Sequence, residues 1–415
     1  MATGTGEEDA SISKYIAAGS QPPPSNHLYE TRATPYGGRG AFARGPIAKN
    51  TDILSCAGPY ASVIFRPFKK EVCAWCFAYA FESGKSKWSI KLSVDNAGAW
   101  FCSEHCEELW IKEHELVQGE GVQWWLEING AFERLIAQMS QSGTKGTRKS
   151  SRVVGESTST RFAHLEDLKS KEVTQELVDK AWSIAEKTLS DKGTAIQFTQ
   201  PLNNLELDTA RYLLDGLLHK ILEDARPDAT RALSTLSSIA IGAGRWADYL
   251  ELQDNEVPHI CSKPYVLASH VRIYCFLRQL FPLLAGSKGM PSGPSDLLRR
   301  YLTSSTTVRA LLQRDPGNVF GIWDMAPEAE ESEMLGWGAY VFGSYFNHDC
   351  DPNITKRREG RAVVFYTIRD VCADEELCIS YVDDAPVGER IAHLERDWFF
   401  SCRCAKCIQD LANVS

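Results

Sequence analysis

Polar and apolar residues change rhythm several times along the chain, and each change predicts a different kind of element. Residues 1–30 are polar, carry Pro22-Pro23-Pro24 and show no period, which predicts a disordered tail. Pro35-Tyr36-Gly37-Gly38-Arg39-Gly40-Ala41-Phe42 sets three glycines just ahead of an apolar pair, the pattern of a turn where backbone approaches another group closely. Ile53-Leu54 and Ala61 to Phe65 read as short strands. From Glu104 onward the period is helical, through Leu109, Trp125, Leu126, Phe132, Leu135 and Ile136. Residues 141–160, rich in Ser, Thr, Gly and Lys, have no apolar period and are expected to form a mobile surface loop. Between 165 and 312 three helical stripes recur: Val173, Leu177, Ala181, Ile184 and Thr188; Leu214, Leu217, Leu218 and Ile221; Val266, His270, Tyr274, Leu277 and Phe281. Ser262, two residues before Pro264, predicts a helix start. Ala362 to Ile368 and Leu377 to Tyr381 read as strands, and Arg390 to Trp398 as a short helix. The order is therefore β, cysteine-rich, long α, then β again: an α+β chain in which insertions interrupt a β fold.

Composition narrows the classes. With 43% apolar and 24% charged residues, the 415-residue chain resembles ordinary globular proteins, which excludes collagen-like and wholly disordered readings. A net charge of −9 argues against direct nucleic-acid binding and suits a basic partner such as a lysine-rich protein tail, although solubility alone also explains it. The most apolar stretch, Val266 to Leu284, is broken by His270, Arg272, Arg278, Gln279 and Pro282, so no membrane span is expected. Met1 to Ala10 is polar and acidic, unlike a signal peptide, and the expected location is the nucleus, the cytoplasm or both.

Thirteen cysteines then need a purpose other than disulfides. Cys73-Ala-Trp-Cys76 and Cys102-Ser-Glu-His-Cys106 form two short pairs, the spacing with which zinc collects four soft ligands in a tetrahedron. A finger of this size is too small for a core of its own, so the metal would supply folding free energy. Cys402-Arg-Cys404-Ala-Lys-Cys407 offers three more thiolates, and Cys350, in the polar segment Asn347 to Asn353, is the candidate fourth. Cys56, Cys261, Cys275, Cys372 and Cys378 remain and are expected to be small core residues. His114, alone on a helix, is not expected to bind metal.

Gly343-Ser-Tyr-Phe-Asn347-His348-Asp-Cys350-Asp-Pro352-Asn353 resembles the N-H-x-C-x-P-N signature of SET-domain lysine methyltransferases. Asp374-Glu375-Glu376-Leu377-Cys-Ile-Ser-Tyr381 resembles that family's second signature, with Asp374 where glycine is usual. The late cysteine trio looks like the post-SET zinc motif, Gly38-Arg39-Gly40 like the N-terminal cofactor loop, and Asn318-Val-Phe320 like the strand ahead of the signature. The finger after the first strands points to the SET-and-MYND (SMYD) type. The cysteines of a second finger zinc are absent between Cys76 and Cys102, and Gln118 falls near the place of the last, so two zinc ions are expected in the whole chain. The segments implied are a tail (1–30), the N-terminal SET part (31–70), the finger (71–118), a helical insert (119–312), the C-terminal SET core (313–390) and the post-SET zinc segment (391–415).

The resemblance implies S-adenosylmethionine as cofactor and transfer of its methyl group to a protein lysine, on a histone tail or another protein. Tyr381 would be the catalytic residue, its hydroxyl facing the methyl group and the amine. Gly38, Arg39, Gly40, His270, Asn318, Asn347, His348, Tyr381 and Phe400 would bind the cofactor. Phe320 and Trp398 would line the lysine channel, Trp398 standing where tyrosine is more usual. Asp374, Glu375 and Glu376 are expected to form a turn with a structural glutamate, because direct methyl transfer needs no carboxylate acid. Two rivals remain at the level of sequence: an inactive module whose finger binds a peptide partner, and a zinc-dependent nucleic-acid binder.

Overall fold

The structure, a computed structural model, describes residues 25–94, 97–117, 119, 121–144, 165, 167–190, 202–226, 239–284, 292–325 and 332–414. Thirteen strands are found among them: β1 (Tyr29–Ala33), β2 (Arg39–Ala43), β3 (Asp52–Cys56), β4 (Ser62–Ile64), β5 (Ile90–Val94), β6 (Ala97–Phe101), β7 (Ala240–Ile241), β8 (Phe320–Trp323), β9 (Met334–Gly338), β10 (Asn347–His348), β11 (Ile354–Glu359), β12 (Ala362–Thr367) and β13 (Cys378–Ile379). They form small sheets with the orders β11-β12-β3-β7 and β4-β9-β8, and the pairs β1-β2, β5-β6 and β10-β13. Early and late strands share sheets, since β3 lies beside β12 and β4 beside β9. The long middle of the chain is thus an insertion into one β fold, as its rhythm predicts.

The insert is not purely helical. Its β7 pairs in parallel with the end of β3, Ser55 opposite Ala240, and so is stitched to the sheet that β3 shares with β11 and β12. Its longest described helices are Gln123–Thr144 and Asn204–Ala225. The second starts at a reciprocal cap, where Glu206 N–H donates to Asn203 Oδ1 at 2.9 Å and Asn203 N–H to Glu206 Oε2 at 2.9 Å. Its apolar stripe, with Leu214, Leu217, Leu218 and Ile221 buried, shares a single core with Trp337, Tyr340 and Phe365 of the β fold. The finger has a satellite core of Trp88, Phe101, Trp110 and Leu126.

Several expectations are corrected. Tyr29 and Glu30 belong to β1 rather than to a tail, and the Asn26 amide just before it donates to the Ile53 carbonyl at 2.9 Å; residues 1–24 of the expected tail lie outside the described residues. The helix from Gln123 runs to Thr144, four residues into the expected loop, whose remainder lies outside the described residues. Ser262 ends the helix Glu256–Ser262, and the next, Tyr265–Arg278, begins after Pro264, whose fixed φ suits the first turn. Only Cys378–Ile379 pair within the expected run Leu377 to Tyr381. The expected Arg390–Trp398 helix spans Val387–Asp397, so it straddles the assigned segment boundary at 390. Cys372 is exposed on a turn and Cys261 only half-buried, whereas Cys56, Cys275 and Cys378 are core residues.

Candidate active site and its two thiolate cages

The cysteines gather into two tetrads, Cys73-Cys76-Cys102-Cys106 and Cys350-Cys402-Cys404-Cys407, in each of which the sulfurs all lie within 4.8 Å of one another. Sulfurs about 2.3 Å from a tetrahedral zinc are about 3.8 Å apart. The structure has Cys76 Sγ and Cys106 Sγ each 3.5 Å from Cys102 Sγ, and Cys350 Sγ 3.5 Å from Cys407 Sγ and 3.9 Å from Cys402 Sγ. Both tetrads fit the ion. In the finger, Ser103 caps the helix Glu104–His114 by accepting from Cys106 N–H at 3.2 Å, which fixes the helix turn that carries Cys106. Burial pushes the Cys350 thiol up to about 12, so four sulfurs this close resist ionising together unless a divalent cation lies among them. His114 lies in the core: Nδ1 is 2.8 Å from the Trp110 carbonyl oxygen and its ring stacks on Trp110. Gln118 lies outside the described residues.

The second cage sits beside Tyr381. The Tyr381 hydroxyl donates to the Phe346 carbonyl at 2.8 Å, and its ring stacks on Trp398 with centroids 5.6 Å apart. His348 and Phe400 close two more sides, with centroids 5.3 and 6.5 Å from the Tyr381 ring. Burial raises the phenol well above its ordinary range, so it is a neutral hydroxyl at physiological pH. Arg390, itself buried, directs Nη2 at Cys407 Sγ, 3.7 Å away, and is paired with Asp410.

Asn347 joins the loop between β1 and β2 to this centre. Its Nδ2 donates to the Arg39 carbonyl at 2.9 Å and to Glu376 Oε1 at 2.8 Å, and Glu376 also accepts from the Tyr36 hydroxyl. Gly40 is required here, because a Cβ would collide with the Glu376 carboxylate and lie 2.9 Å from Asn347 Nδ2. Gly37 and Gly38 turn the loop with φ of 97° and 75°. The Arg39 side chain points to the insert, where Nη2 donates to the Glu251 carbonyl at 2.7 Å. Asn318 is buried, and its amide donates to the carbonyls of Gln253 and Arg314 at 3.0 and 2.9 Å, so it ties the insert to the strand that follows. Phe320 packs against Tyr340 and Phe365, and the Lys356 ammonium lies 5.6 Å from its ring centroid.

A group of polar atoms without partners lies next to Trp398. Asn255 Oδ1, His259 Nδ1 and His270 Nδ1 are buried and make no hydrogen bond. Asn255 precedes the helix Glu256–Ser262, which carries His259, and His270 lies on Tyr265–Arg278. The His259 ring is 6.1 Å from His270 and 5.8 Å from Phe399. Gly317, with φ of 80°, faces the same place: a Cβ there would be 3.1 Å from Asn255 Nδ2 and 3.6 Å from Trp398. Burial holds His270 down at about 3 and His259 at about 4, leaving neutral imidazoles that each donate and accept. Buried polar groups left unpaired are costly. A heteroaromatic, hydroxyl-bearing ligand would offer them partners, and S-adenosylmethionine carries both kinds of group, so the residues present fit it.

Sequence reasoning placed Tyr381, Asn347, His348, Trp398, Phe400 and the late cysteines, and the fold brings them together. His270 adjoins them through His259 and Phe399, whereas Phe320 lies one aromatic layer away, against Phe365, which in turn packs on Phe346. Asn255 and His259 were missed, since a polar residue at a helix start and a lone histidine carry no motif. Tyr36 stood inside the quoted glycine turn, but nothing local pairs it with Glu376.

Comparison with known proteins gives the family. The SET domain family model matches residues 38–382. The chain is 27% identical over 414 residues to a potential protein lysine methyltransferase of Saccharomyces cerevisiae, covering 93% of this chain and 96% of that protein. A SET and MYND domain-containing protein of Dictyostelium discoideum is 29% identical over 171 residues, 40% of this chain and 43% of the relative. A histone-lysine N-methyltransferase of Arabidopsis thaliana is 39% identical over 85 residues, 19% of this chain and 18% of the relative.

Proposed function

The chain belongs to the SET-domain family, and from that premise we propose that it transfers a methyl group from S-adenosylmethionine to lysine side chains of proteins. S-adenosylmethionine supplies an electrophilic methyl carbon on a sulfonium. Asn255, His259 and His270 would hold its polar edge, Asn347, His348 and the backbone around Arg39 its other end, and Phe400 would cover it. Tyr381 and Trp398 form the wall at which the acceptor amine arrives. A narrow aromatic passage desolvates that amine and lowers its pKa, so that it enters as the neutral nucleophile. The oxygens grouped at Tyr381, its hydroxyl and the Phe346 carbonyl, offer negative ends to the charge around the transferring methyl. Holding the two reactants in line contributes several kcal/mol. The Phe320 ring has the face an ammonium prefers, since it already attracts Lys356.

The observation that carries this reading is the Tyr381 phenol held against Phe346 and Trp398, beside a buried set of unpartnered polar atoms. The substrate is a lysine-bearing protein; a basic histone tail suits the −9 charge, and the finger is the place for a peptide partner. The test is incubation with S-adenosylmethionine labelled in its methyl group and a cell extract, followed by hydrolysis and chromatography of methylated lysines. Labelled methyl-lysine is expected with the wild type and about 100-fold less with Tyr381→Phe, which removes one oxygen and leaves the ring. Equal labelling by both proteins, or label on arginine, overturns the proposal.

A further inference from the structure

The imidazole of His348 lies between the second cage and Tyr381, and its two nitrogens have different partners. The Tyr381 backbone N–H donates to Nδ1 at 3.0 Å, so Nδ1 carries a lone pair. The proton of the neutral ring is therefore on Nε2, which lies 3.1 Å from Cys350 Sγ and faces it as a donor. Donation to a ligand sulfur is the role that outer hydrogen bonds play around metal thiolates. The same short segment holds Tyr381 at its other end, since the hydroxyl donates to the carbonyl of Phe346, two residues before His348. The backbone adds to this: β10 and β13 pair in parallel, His348 opposite Ile379, and Asp349 N–H donates to the Ile379 carbonyl at 3.0 Å.

We infer that His348 is a positioning residue through which the Cys350-Cys402-Cys404-Cys407 cage fixes the place of Tyr381. The inference deepens the proposed function and rests on it for the role of Tyr381, but the linkage itself is physical and can be read without turnover. A zinc ion held by Cys350, Cys402, Cys404 and Cys407 would fix the Cys350 sulfur in the tetrad. The sulfur then orients the imidazole through Nε2–H, and Nδ1 holds the Tyr381 amide. Loss of the metal loosens the ring, and with it the backbone that carries the phenol.

The two hydrogen bonds are separable. In His348→Asn the carboxamide oxygen takes the place of Nδ1 but no donor reaches Cys350. In His348→Gln the carboxamide nitrogen reaches the place of Nε2. His348→Phe keeps a ring and has neither. Three quantities are read on the zinc-loaded full chain: zinc release to a colorimetric chelator, hydrogen exchange at the Tyr381 amide, and methyl transfer to the extract. His348→Asn is expected to release one of its two zincs ~10-fold faster or more, while the finger zinc is unchanged. Its Tyr381 amide stays protected while zinc is bound. His348→Gln is expected to release zinc at the wild-type rate, exchange its Tyr381 amide ~10-fold faster and transfer methyl more slowly. His348→Phe shows all three losses. Stripping zinc from the wild type exposes the Tyr381 amide. Wild-type release and exchange in His348→Phe overturn the inference, as does an equal fall in all three variants that follows their melting temperatures. A wild type that transfers no methyl, yet shows the expected release and exchange pattern, sinks the functional proposal and leaves the linkage standing.

Discussion

Single residues in this protein are fixed by what faces them across the fold. Gly40 carries no chemistry of its own, yet a Cβ at that position would run into the Glu376 carboxylate and the Asn347 amide. Gly40→Ala must push apart the contact between the N-terminal loop and the signature segment, and overpacking of this kind costs about 1–3 kcal/mol. The expected result is a fall of several degrees in melting temperature by calorimetry, together with weaker S-adenosylhomocysteine binding; an unchanged melting temperature would show that the loop yields freely. Histidines provide a second residue-level test. Burial holds His114 down at about 4 and His270 at about 3, below the ordinary imidazole value near 6.5. The unfolded chain therefore binds more protons than the folded one between pH 6.5 and pH 4. Stability is fully present above pH 6.5 and is lost as the pH falls through that window, by a few kcal/mol on the order of what each shift implies. Urea titrations at pH 7 and pH 5 should show this loss, with a smaller loss in His114→Phe; a steeper dependence in that variant would contradict the assignment.

Elements were legible where the signal is local. The strands at Ile53-Leu54 and Ala362–Thr367, the stripe over Asn204–Ala225, the finger's two cysteine pairs and the late trio follow from spacing, because period and ligand distance are written within a few residues; Cys350, 52 residues before Cys402, was expected from its polar segment. The β5-β6 hairpin of the finger was not among the expected elements, although Ile90, Leu92 and Val94 alternate with polar residues along β5; β6, Ala97–Phe101, has no alternation. β7 was illegible as well: two residues become a strand only because β3 lies alongside. The polar set of Asn255, His259 and His270 was legible only at His270, through a resemblance, as it forms when two helices of the insert close over Gly317 and Trp398. Metal belongs to this scale too. Each tetrad offers one tetrahedral site, so atomic emission spectrometry should find two zincs per chain. Cys404→Ser should reduce the count to one and loosen the segment from Val387 to the end of the described chain; a count of four in the wild type would refute the ligand sets.

Seen whole, the molecule is one β fold that reaches its site from four directions: the glycine turn before β2, the signature segment at β10, the helix pair of the insert, and the segment from Val387 onward. The late helix Val387–Asp397 and the cysteine trio that follows it bring Trp398 and Phe400 to the same place, pinned by Cys350. This convergence explains why the site spans most of the chain, from Tyr36 to Cys407, and why one family model runs from residue 38 to 382. The most direct measurement is calorimetric titration of the zinc-loaded protein with S-adenosylhomocysteine, beside His270→Leu, which replaces an imidazole whose Nδ1 has no partner with an apolar side chain of similar volume. One site per chain is predicted, weakened ~10-fold or more in His270→Leu, as expected when a hydrogen bond to a buried polar group is lost. Absence of binding by the wild type, or identical binding by both proteins, would contradict it.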